Sequence, residues 1–466
     1  MHIPEPICAI STAPGAGAVA MIRLSGEEAL QIADRVISFP TRIKTVSNQP
    51  ANTIHFAKVI DGDTLIDEAM VAVFHAPHSY TGENTVEITC HGSVYIQQKI
   101  LECLIKNGAR LAKPGEFTQR AFLNGKLDLS QAEGVADLIA SGSEAAHRLA
   151  ITQMKGGFSK EISNLREKLL HFISLIELEI DFSEEDVEFA DREKLYQLLD
   201  KIERLLRKLI RSFDYGNVIK SGIPVAIVGR TNAGKSTLLN QLLGEEKAIV
   251  SEIEGTTRDF IEDTMVLQGI TFRFIDTAGL RKTSDSIETL GIERSVKKYS
   301  EAAIVIILID AKDRLDEIIK SLEIFKDIPK ENKYIIFAIN KIDSVINSEM
   351  LISDLKQKIG LKGDYISLSA KFGTHIELLE EKLVGFALSK KPHDSDIVVT
   401  NVRHFEALDK AHQAIVRVIN SLDDGITTDL LAVDIRESLH YLGEIVGEVT
   451  TNEILGNIFS KFCIGK

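Results

Sequence analysis

The sequence has little cysteine and no long apolar run. Only 4 of its 466 residues are cysteine, they are widely spaced, and no two form a CxxC pair. A disulfide scaffold is therefore excluded, and a reducing compartment is the simpler interpretation. The longest apolar run, Ala302–Ile309, ends at Asp310 and is far shorter than the ~20 residues of a membrane-spanning helix. The N-terminal MHIPEPICAI has no basic stretch before an apolar core, so we expect a cytoplasmic protein without a signal peptide.

Basic residues are also fewer than acidic ones. Lys and Arg total 54 against 68 Asp and Glu, which gives a formal net charge of −14. Proteins that coat nucleic acid work through a broad basic surface, so that class is excluded, whereas a local basic groove or a transient nucleic-acid substrate is not. Apolar residues make up 44% of the chain and charged residues 26%. A chain of this length is long enough for roughly two to four domains, each with its own core.

The pattern of apolar residues changes along the chain and predicts four segments. Residues 1–122 alternate strand-like and helix-like runs, which is typical of an α/β domain. Residues 123–215 carry long amphipathic helices. Residues 216–380 alternate apolar strands with helices, which predicts a parallel sheet covered on both faces. Residues 381–466 return to the helical period, which extends to Val449. We therefore predict an α/β domain inserted into a helical one.

The inserted segment contains a phosphate-binding loop. Its GxxxxGKS stretch, Gly229–Ser236, follows the strand-like run Pro224–Val228 and precedes a helix-like run. Backbone N–H groups of such a glycine-rich turn, and of the helix N-terminus behind it, converge on phosphate oxygens. Lys235 would then reach the β- and γ-phosphates, and the hydroxyl of Ser236 would bind Mg²⁺.

Three further motifs follow predicted strands and indicate a guanine nucleotide. Asp276-Thr-Ala-Gly279 offers a carboxylate for Mg²⁺ and a glycine N–H for the γ-phosphate. In Asn340-Lys-Ile-Asp343, the carboxylate of Asp343 can accept hydrogen bonds from N1–H and the 2-amino group of guanine, and adenine has neither donor. Ser369-Ala-Lys371 can close over the base. The position of these motifs at the carboxyl ends of strands fits the ligand sites of open α/β sheets.

A switch segment and an unusual catalytic position complete this part of the sequence. Thr257, in Gly255-Thr-Thr-Arg-Asp259, can ligate Mg²⁺ and sense the γ-phosphate. Ras-type GTPases carry a Gln just after the DxxG glycine to orient the attacking water, but Leu280 stands there in this chain. An apolar side chain cannot hold water, so another residue must do so. The nearby candidates are Arg258, Arg281 and Glu288.

With these motifs, the chain resembles the MnmE (TrmE) family of tRNA-modification GTPases. The resemblance is carried by GRTNAGKS, GTTRD, DTAGLR, NKID, SYTGENTVEITCHG, PGEFTQRAFLNGKLDLSQAE and the terminal FCIGK, and it covers the whole chain in one register. It implies an N-terminal α/β folate-binding and dimerisation domain, a long-helix domain, and a Ras-like G domain inserted into the helical domain.

The resemblance also implies roles for residues of the nucleotide site. Glu288 matches the catalytic glutamate, which acts on the attacking water through a bridging water. A K⁺ ion beside the β- and γ-phosphates would neutralise developing charge. The residues that match the K⁺ ligands are Asn232, Ser251, Ile253 and Thr256, and those that match the Mg²⁺ ligands are Ser236 and Thr257. The predicted GTP-binding residues are Asn232, Ala233, Gly234, Lys235, Ser236, Thr237, Ser251, Glu252, Ile253, Glu254, Gly255, Thr256, Thr257, Asp276, Thr277, Ala278, Gly279, Asn340, Lys341, Asp343, Ser369, Ala370 and Lys371.

In the N-terminal domain the resemblance implies a site for 5-formyl-tetrahydrofolate or a related folate. Arg23, Glu83, Lys126 and Lys466 match its residues. Arg and Lys suit the folate glutamate, and a carboxylate suits the hydrogen-bond donors of the pterin. Cys463 matches a cysteine near the family's active centre, with a buried apolar role as the alternative.

The function that the resemblance implies is K⁺-stimulated GTP hydrolysis coupled to tRNA modification. A homodimer would work with an FAD-dependent partner of the GidA (MnmG) family, in a heterotetramer. The complex would add a (carboxymethyl)aminomethyl group to C5 of the wobble uridine of certain tRNAs, with a folate as one-carbon donor. The alternative is an RNA- or ribosome-associated GTPase switch with no modification role, which would have no need to bind folate.

Overall fold

A computed structural model divides the chain into two compact units. The first comprises Met1–Ala136, Thr152–Tyr196 and Ala414–Lys466, and the second Asp137–Ile151 and Gln197–Gln413. The predicted boundaries of the four segments remain predictions. The structure describes residues 5–40, 44–181, 192–247, 263–275, 301–323, 333–345, 348–359, 363–389, 397–424 and 428–466.

The first unit contains a seven-stranded sheet, which confirms the predicted N-terminal α/β fold. The strands follow the spatial order β3-β4-β5-β6-β2-β1-β7, and every neighbouring pair is antiparallel except the parallel pair β1 and β7. Their bounds are β1 (Ile7–Ile10), β2 (Val19–Ser25), β3 (Ile37–Ser38), β4 (Thr53–Asp61), β5 (Thr64–Phe74), β6 (Thr85–His91) and β7 (Arg110–Leu111).

One face of this sheet packs against helices α1 (Ala29–Val36) and α2 (Val94–Lys106). Alternate strand residues point into that core, as Ile22 and Leu24 do, because successive side chains of a strand point to opposite faces. The residues between them, including Arg23, therefore lie on the opposite face. Cys8, Cys90 and Cys103 are buried and unpaired, and Cys463 is exposed and unpaired, which agrees with the absence of a disulfide scaffold.

The described elements of residues 116–221 are all helices, as predicted for 123–215. They are α3 (Glu116–Leu123), α4 (Leu129–Ala140), α5 (Glu144–Met154), α6 (Gly157–Asp181) and α7 (Arg192–Ser221). The C-terminal helices are α12 (Val402–Asp423), α13 (Thr428–Val446) and α14 (Asn452–Phe459). Val449 lies beyond α13, contrary to the apolar period, because Gly447 leaves the helical conformation with a φ of +89°.

The second unit is built on a six-stranded sheet of order β13-β12-β11-β8-β10-β9. Its strands are β8 (Ile223–Gly229), β9 (Asp263–Leu267), β10 (Ile270–Phe274), β11 (Ile304–Asp310), β12 (Tyr334–Asn340) and β13 (Asp364–Ser367). Helices α8 (Lys235–Lys247) and α11 (Ile376–Ser389) pack on one face, and α9 (Leu315–Glu323) and α10 (Ser348–Ile359) pack on the other. Two apolar cores therefore cover the sheet, as the near-continuous apolar strands predicted.

The predicted parallel arrangement of this sheet was wrong at one edge. β9 pairs with β10 in antiparallel register. Only Gln268 and Gly269 connect the two strands, and both have positive φ, at +47° and +76°. A two-residue turn with this geometry joins antiparallel neighbours, whereas a parallel pair needs a long crossover connection. β9 was not among the predicted strands.

A network of charges ties β7 to α3 in the first unit. Glu116 accepts hydrogen bonds from Arg110, at 2.6 and 3.0 Å, from the backbone N–H of Lys113 at 2.8 Å, and from Arg120 at 3.1 Å. Burial by itself raises the pKa of Glu116, but these donors outweigh burial and lower the pKa to about 2, from an ordinary value of 4.5. The folded state therefore favours the ionised carboxylate.

Acid is expected to destabilise the first unit through this residue. Because the folded pKa lies below the unfolded one, the stabilisation is fully present above about pH 4.5 and is lost as the pH falls towards about 2. The shift corresponds to roughly 3 kcal/mol of unfolding free energy.

Calorimetric unfolding of the full chain at about pH 6 and about pH 3 should show a smaller pH effect on stability in Glu116→Gln than in wild type. Glu102→Gln, which removes an exposed partner of Lys99, should behave as wild type. An equal pH effect in Glu116→Gln and wild type would contradict the assignment.

Candidate functional site

The phosphate-binding loop lies between the end of β8 and the start of α8, as predicted. Its two glycines are required by close approaches of other groups. A Cβ at Gly229 would lie 2.3 Å from the carbonyl oxygen of Leu308, and one at Gly234 would lie 2.4 Å from Nδ2 of Asn340. Both glycines also have positive φ, at +152° and +99°. The loop therefore passes close to β11 and β12, where a side chain would push it away.

Lys235 folds its ammonium group over this loop. Its Nζ donates to the carbonyl oxygens of Gly229 and Arg230, each at 2.7 Å. Lys235 and Ser236 occupy the first turn of α8, where backbone N–H groups lack partners within the helix and the helix dipole favours anions. The loop therefore presents a fixed cation and several N–H donors together, which is the chemistry that binds phosphate groups.

Asn340 joins the phosphate-binding loop to the predicted base-binding segment. Its side chain is only 2% exposed. Nδ2 donates to the carbonyl oxygen of Ala233 at 2.8 Å, and Oδ1 accepts from the backbone N–H of Ala370 at 2.9 Å. Since both ends of the amide are used, the Asn340 side chain fixes the loop and the Ser369-Ala370-Lys371 segment relative to the end of β12.

Asp343 is exposed and is held by two hydroxyl groups. Oδ1 accepts from Oγ of Ser369 at 2.6 Å, and Oδ2 accepts from Oγ of Ser344 at 2.9 Å. The hydrogen bond from Ser369 is the main reason why the pKa of Asp343 is lowered. The carboxylate is therefore ionised and oriented, with acceptor capacity left for a ligand.

Lys341 connects the end of β11 to the phosphate-binding loop. Its Nζ donates to the carbonyl oxygen of Asn232 at 2.7 Å and to Oδ2 of Asp310 at 2.6 Å. Asp310 ends β11 and was missed as a site residue, because its position after an apolar run marked it only as the end of a strand. A carboxylate at the carboxyl end of a buried strand, next in the sheet to the strand that carries NKID, was the available signal.

Thr237 follows Ser236 in α8, and the other part of the predicted nucleotide site lies outside the described residues. This applies to the proposed catalytic residue, the switch segment and the DTAG motif. The predicted residues concerned are Ser251, Glu252, Ile253, Glu254, Gly255, Thr256, Thr257, Asp276, Thr277, Ala278, Gly279 and Glu288, with the candidates Arg258 and Arg281 and the substituted position Leu280.

In the first unit, Arg23 lies in an aromatic and acidic environment. It lies on the face of the sheet opposite α1 and α2, where its Nε donates to Glu87 at 2.8 Å. Its guanidinium carbon is 5.5 Å from the ring centroid of Tyr80 and 5.6 Å from that of Phe117. These distances are typical of cation–π contacts, so the charge is paired and the flat group is held in place.

The other predicted folate residues lie around the same elements. The N–H of Phe117 donates to the carbonyl oxygen of Lys466 at 3.2 Å, which brings the C-terminus to the start of α3. Cγ of Lys126 would lie 3.5 Å from a Cβ placed on Gly82, the neighbour of Glu83. The structure therefore brings Arg23, Glu83, Lys126 and Lys466 around α3 and residues 79–84.

The C-terminal tail passes close to the end of β1, where Gly465 leaves room for it. Gly465 has a φ of +95°, and a Cβ there would lie 2.2 Å from the carbonyl oxygen of Ile10 in β1. The hydroxyl group of Ser11 donates a hydrogen bond to the carbonyl oxygen of Gly465, with an Oγ–O distance of 3.1 Å. The side chain of Cys463 is exposed, so the alternative of a buried apolar role was wrong.

Two further residues near the predicted folate positions, Arg120 and Glu87, were not predicted. Glu87 pairs with Arg23, and Arg120 contacts Glu83 through two hydrogen bonds of 3.2 and 3.1 Å. Arg120 stands within one of the family stretches, PGEFTQRAFLNGKLDLSQAE. An arginine four residues after Glu116, the spacing of one helical turn, was the available signal, although it does not reveal a contact with Glu83.

None of the helices within the described ranges combines the length and the apolar character that crossing a bilayer requires.

Comparison with known proteins places both parts of the chain in one family. The family pattern described as the MnmE helical domain matches residues 129–463, and the pattern described as the GTP-binding protein TrmE N-terminus matches residues 6–126. The tRNA modification GTPase MnmE of Bacteroides fragilis is 54% identical over 465 residues, with 99% of each chain covered. The protein of the same name from Christiangramia forsetii is 49% identical over 478 residues, with 100% of each covered.

Among solved structures, the G domain of the T. maritima FeoB iron transporter matches 35% of this chain and 98% of its own, at 28% identity and a TM-score of 0.26, a value too low to support a conclusion. The family assignment depends instead on the sequence relatives, whose identity of about one half extends over the full chain. It agrees with the phosphate-binding loop, the buried Asn340 and the oriented Asp343. The chain therefore belongs to the MnmE family.

Proposed function

We propose that this protein hydrolyses GTP, and that it thereby takes part in adding a (carboxymethyl)aminomethyl group to C5 of the wobble uridine of certain tRNAs. The observation that carries the proposal is the set of Lys235, Asn340 and Asp343 at one sheet edge. It occurs in a chain whose full-length relatives are named tRNA modification GTPases. Since tRNA is the substrate, the cytoplasm is the proposed compartment.

The nucleotide site binds GTP and GDP with Mg²⁺. Lys235 would neutralise the phosphates, and the hydroxyl groups of Ser236 and Thr257 would bind the Mg²⁺. Asp343 accepts hydrogen bonds from guanine, while Ser369 orients that carboxylate. Asn340 keeps the phosphate and base segments at a fixed separation. Each of these contacts positions the nucleotide, and positioning is the larger part of phosphoryl-transfer catalysis.

Asn232 is the proposed K⁺ ligand within the described loop. It has a left-handed backbone with a φ of +60°, and Lys341 fixes its carbonyl oxygen. Its side-chain oxygen would act with Ser251, Ile253 and Thr256. Bound K⁺ would supply positive charge beside the β- and γ-phosphates. Glu288 would act on the attacking water, in place of the glutamine that Leu280 replaces.

A folate is the proposed one-carbon donor, held in the first unit. The fit follows from the hydrogen-bonding capacity of the residues present. Glu83 accepts from Arg120 and from Ser25 at 2.8 Å, and an ionised carboxylate has about four acceptor positions, so some capacity remains for the pterin. Lys126 is exposed, and with Lys466 and Arg23 it supplies cations for the folate carboxylates.

The proposed assembly is a homodimer that binds an FAD-dependent protein of the GidA (MnmG) family. An apolar surface on the N-terminal sheet supports the homodimer. Ile54, Phe56 and Met70 are exposed by 65%, 52% and 44%. Phe56 lies directly opposite Met70 in the β4–β5 register, and Ile54 is two residues away on the same strand, so all three share one face. Exposed apolar patches of this kind are typical of protein interfaces.

Asp343→Asn is expected to weaken the preference for guanine. The substitution replaces one carboxylate oxygen, a hydrogen-bond acceptor, with an NH₂ group, which is a donor. This donor would meet the 2-amino group of guanine, which is also a donor. It suits xanthine instead, because xanthine carries a carbonyl oxygen at the 2-position. GTP affinity should fall roughly 10- to 100-fold, and XTP affinity should rise. Competition binding with GTP and XTP measures both. Ser344→Ala, which removes only the contact to Oδ2, is the control. Unchanged GTP preference in Asp343→Asn would assign base recognition to another residue.

GTP hydrolysis is expected to be faster in K⁺ than in Na⁺ by at least about 10-fold. Asn232→Gly should remove this preference, because glycine retains the left-handed backbone while the side-chain oxygen is lost. Steady-state hydrolysis in KCl and NaCl at equal ionic strength provides the measurement, and nucleotide binding in each salt provides a second readout. Equal rates in both salts for wild type would exclude the K⁺ proposal.

Loss of the protein is expected to leave wobble uridines without the C5 group. Nucleoside analysis of total tRNA by mass spectrometry measures this directly. Wild-type protein should restore the modification, whereas Glu288→Ala should fail to restore it while still binding GTP, because the residue acts on water and not on the nucleotide. Modified uridines that persist without the protein would overturn the proposed function. A parallel fall in GTP affinity and turnover in Glu288→Ala would overturn the role of that residue alone.

A further inference from the structure

Asp310, the last residue of β11, is an acidic residue at the nucleotide site with no assigned function. It lies directly opposite Asn340 in the parallel register of β11 and β12, and its side chain is 13% exposed. Its Oδ2 accepts a hydrogen bond from Nζ of Lys341 at 2.6 Å, and its Oδ1 accepts one from the backbone N–H of Lys312 at 3.0 Å. Both carboxylate oxygens are therefore used, and the negative charge is paired with Lys341.

Lys341 reaches from this carboxylate to the phosphate-binding loop. The same Nζ donates to the carbonyl oxygen of Asn232 at 2.7 Å. Both residues have left-handed backbones, with a φ of +64° at Lys341 and +60° at Asn232. This conformation is unfavourable for residues other than glycine and persists where surrounding contacts hold it. The hydrogen bond between Lys341 and Asn232 is such a contact, and the ion pair with Asp310 keeps the lysine in place to make it.

We propose that Asp310 is a positioning residue of the nucleotide site and acts through Lys341. The ion pair holds the ammonium group against the phosphate-binding loop, so that Lys341 and the backbone of Asn232 are in place before GTP or GDP binds. Groups that are ordered in advance bind more tightly, because ordering them on binding costs affinity. Since Asn232 is also the proposed K⁺ ligand, the same ion pair orients the K⁺ site, and this second part rests on the proposed K⁺ function.

Asp310 also has a structural role, which the test has to separate from the first. Its Oδ1 closes a short turn with the N–H of Lys312, and its carbonyl oxygen accepts from the N–H of Asp313 at 3.0 Å. Asparagine can retain both contacts, because its side chain keeps one oxygen and forms the same kind of turn. It loses the negative charge and the acceptor that faces Lys341. Asp310→Asn therefore removes the ion pair and leaves the turn.

The first test is equilibrium binding of GTP and of GDP to the full chain in NaCl, so that K⁺ plays no part. Asp310→Asn should weaken both nucleotides by the same factor, about 10-fold, because the contact of Lys341 with Asn232 does not involve the γ-phosphate. In a Lys341→Met background the same change should cause no further loss, since Asp310 acts through that lysine. Asp364→Asn, which breaks an ion pair with Lys382 at the start of β13, should bind both nucleotides as wild type.

A second readout separates positioning from a general loss of structure. The preference for GTP over XTP should be unchanged in Asp310→Asn, because the contacts of Asp343 do not involve this residue. The K⁺ concentration for half-maximal hydrolysis at saturating GTP should rise roughly 5-fold, because the loop that carries Asn232 is held less firmly. Asp310→Glu keeps a negative charge within reach of Lys341 and should recover part of each loss. If Asp310→Asn does not fold, Lys341→Met, which removes the same ion pair, should raise the K⁺ requirement in the same way.

The possible failures lead to different conclusions. If Asp310→Asn binds GTP and GDP as wild type, weakens only one of them, or adds its loss to that of Lys341→Met, the positioning role is overturned. If the binding losses occur but the K⁺ requirement does not change, the link to the K⁺ site is overturned and the positioning of Lys341 stands. If wild type hydrolyses GTP equally well in Na⁺, the proposed K⁺ function is wrong, and nucleotide binding in NaCl still decides the role of Asp310.

Discussion

The nucleotide site depends on one buried amide. Asn340 is almost inaccessible to solvent, and its two ends hydrogen-bond to two different loops, at Ala233 and at Ala370. A buried amide with an unmade hydrogen bond would cost free energy, so each loop is held where it satisfies this side chain. Gly234 has no side chain because Nδ2 of Asn340 occupies that space. The phosphate and base segments are therefore positioned by a group that need not touch the nucleotide.

Much of this arrangement could be predicted from the sequence because buried parallel strands are easy to recognise. The apolar runs of β8, β11 and β12 identify strands, and polar residues at their carboxyl ends must then meet at one sheet edge. Local patterns do not reveal partners that are distant in the chain. The contact of Lys341 with Asp310 and the antiparallel β9 were missed for that reason, since each depends on pairing geometry and a tight turn.

The predicted folate site in the N-terminal domain could not be recognised from the pattern of apolar strands. Arg23 and Glu83 are separated along the chain by α1 and three strands, β3, β4 and β5, and composition alone would make each an exposed charge. Only the family resemblance singled them out, and it did so without Arg120 or Glu87. The structure places Arg23 against two aromatic rings and Glu83 against a buried arginine. Charges with such partners are fixed in orientation, and orientation is what recognition of a flat, polar ligand requires.

The two sites differ in how they hold their carboxylates, and the difference fits their proposed ligands. Asp343 is exposed and held by hydroxyl groups of nearby segments, so few contacts are lost when a nucleotide leaves and another enters. Glu83 is held by a buried guanidinium that is itself fixed by Glu116. Removing that cation would take away the charge that pairs with Glu83 in a largely buried environment, which is unfavourable, whereas Glu116 would keep its ion pair with Arg110. We infer that Glu83 is held more firmly than Asp343, because its partner is a buried cation that is fixed in turn by a second carboxylate.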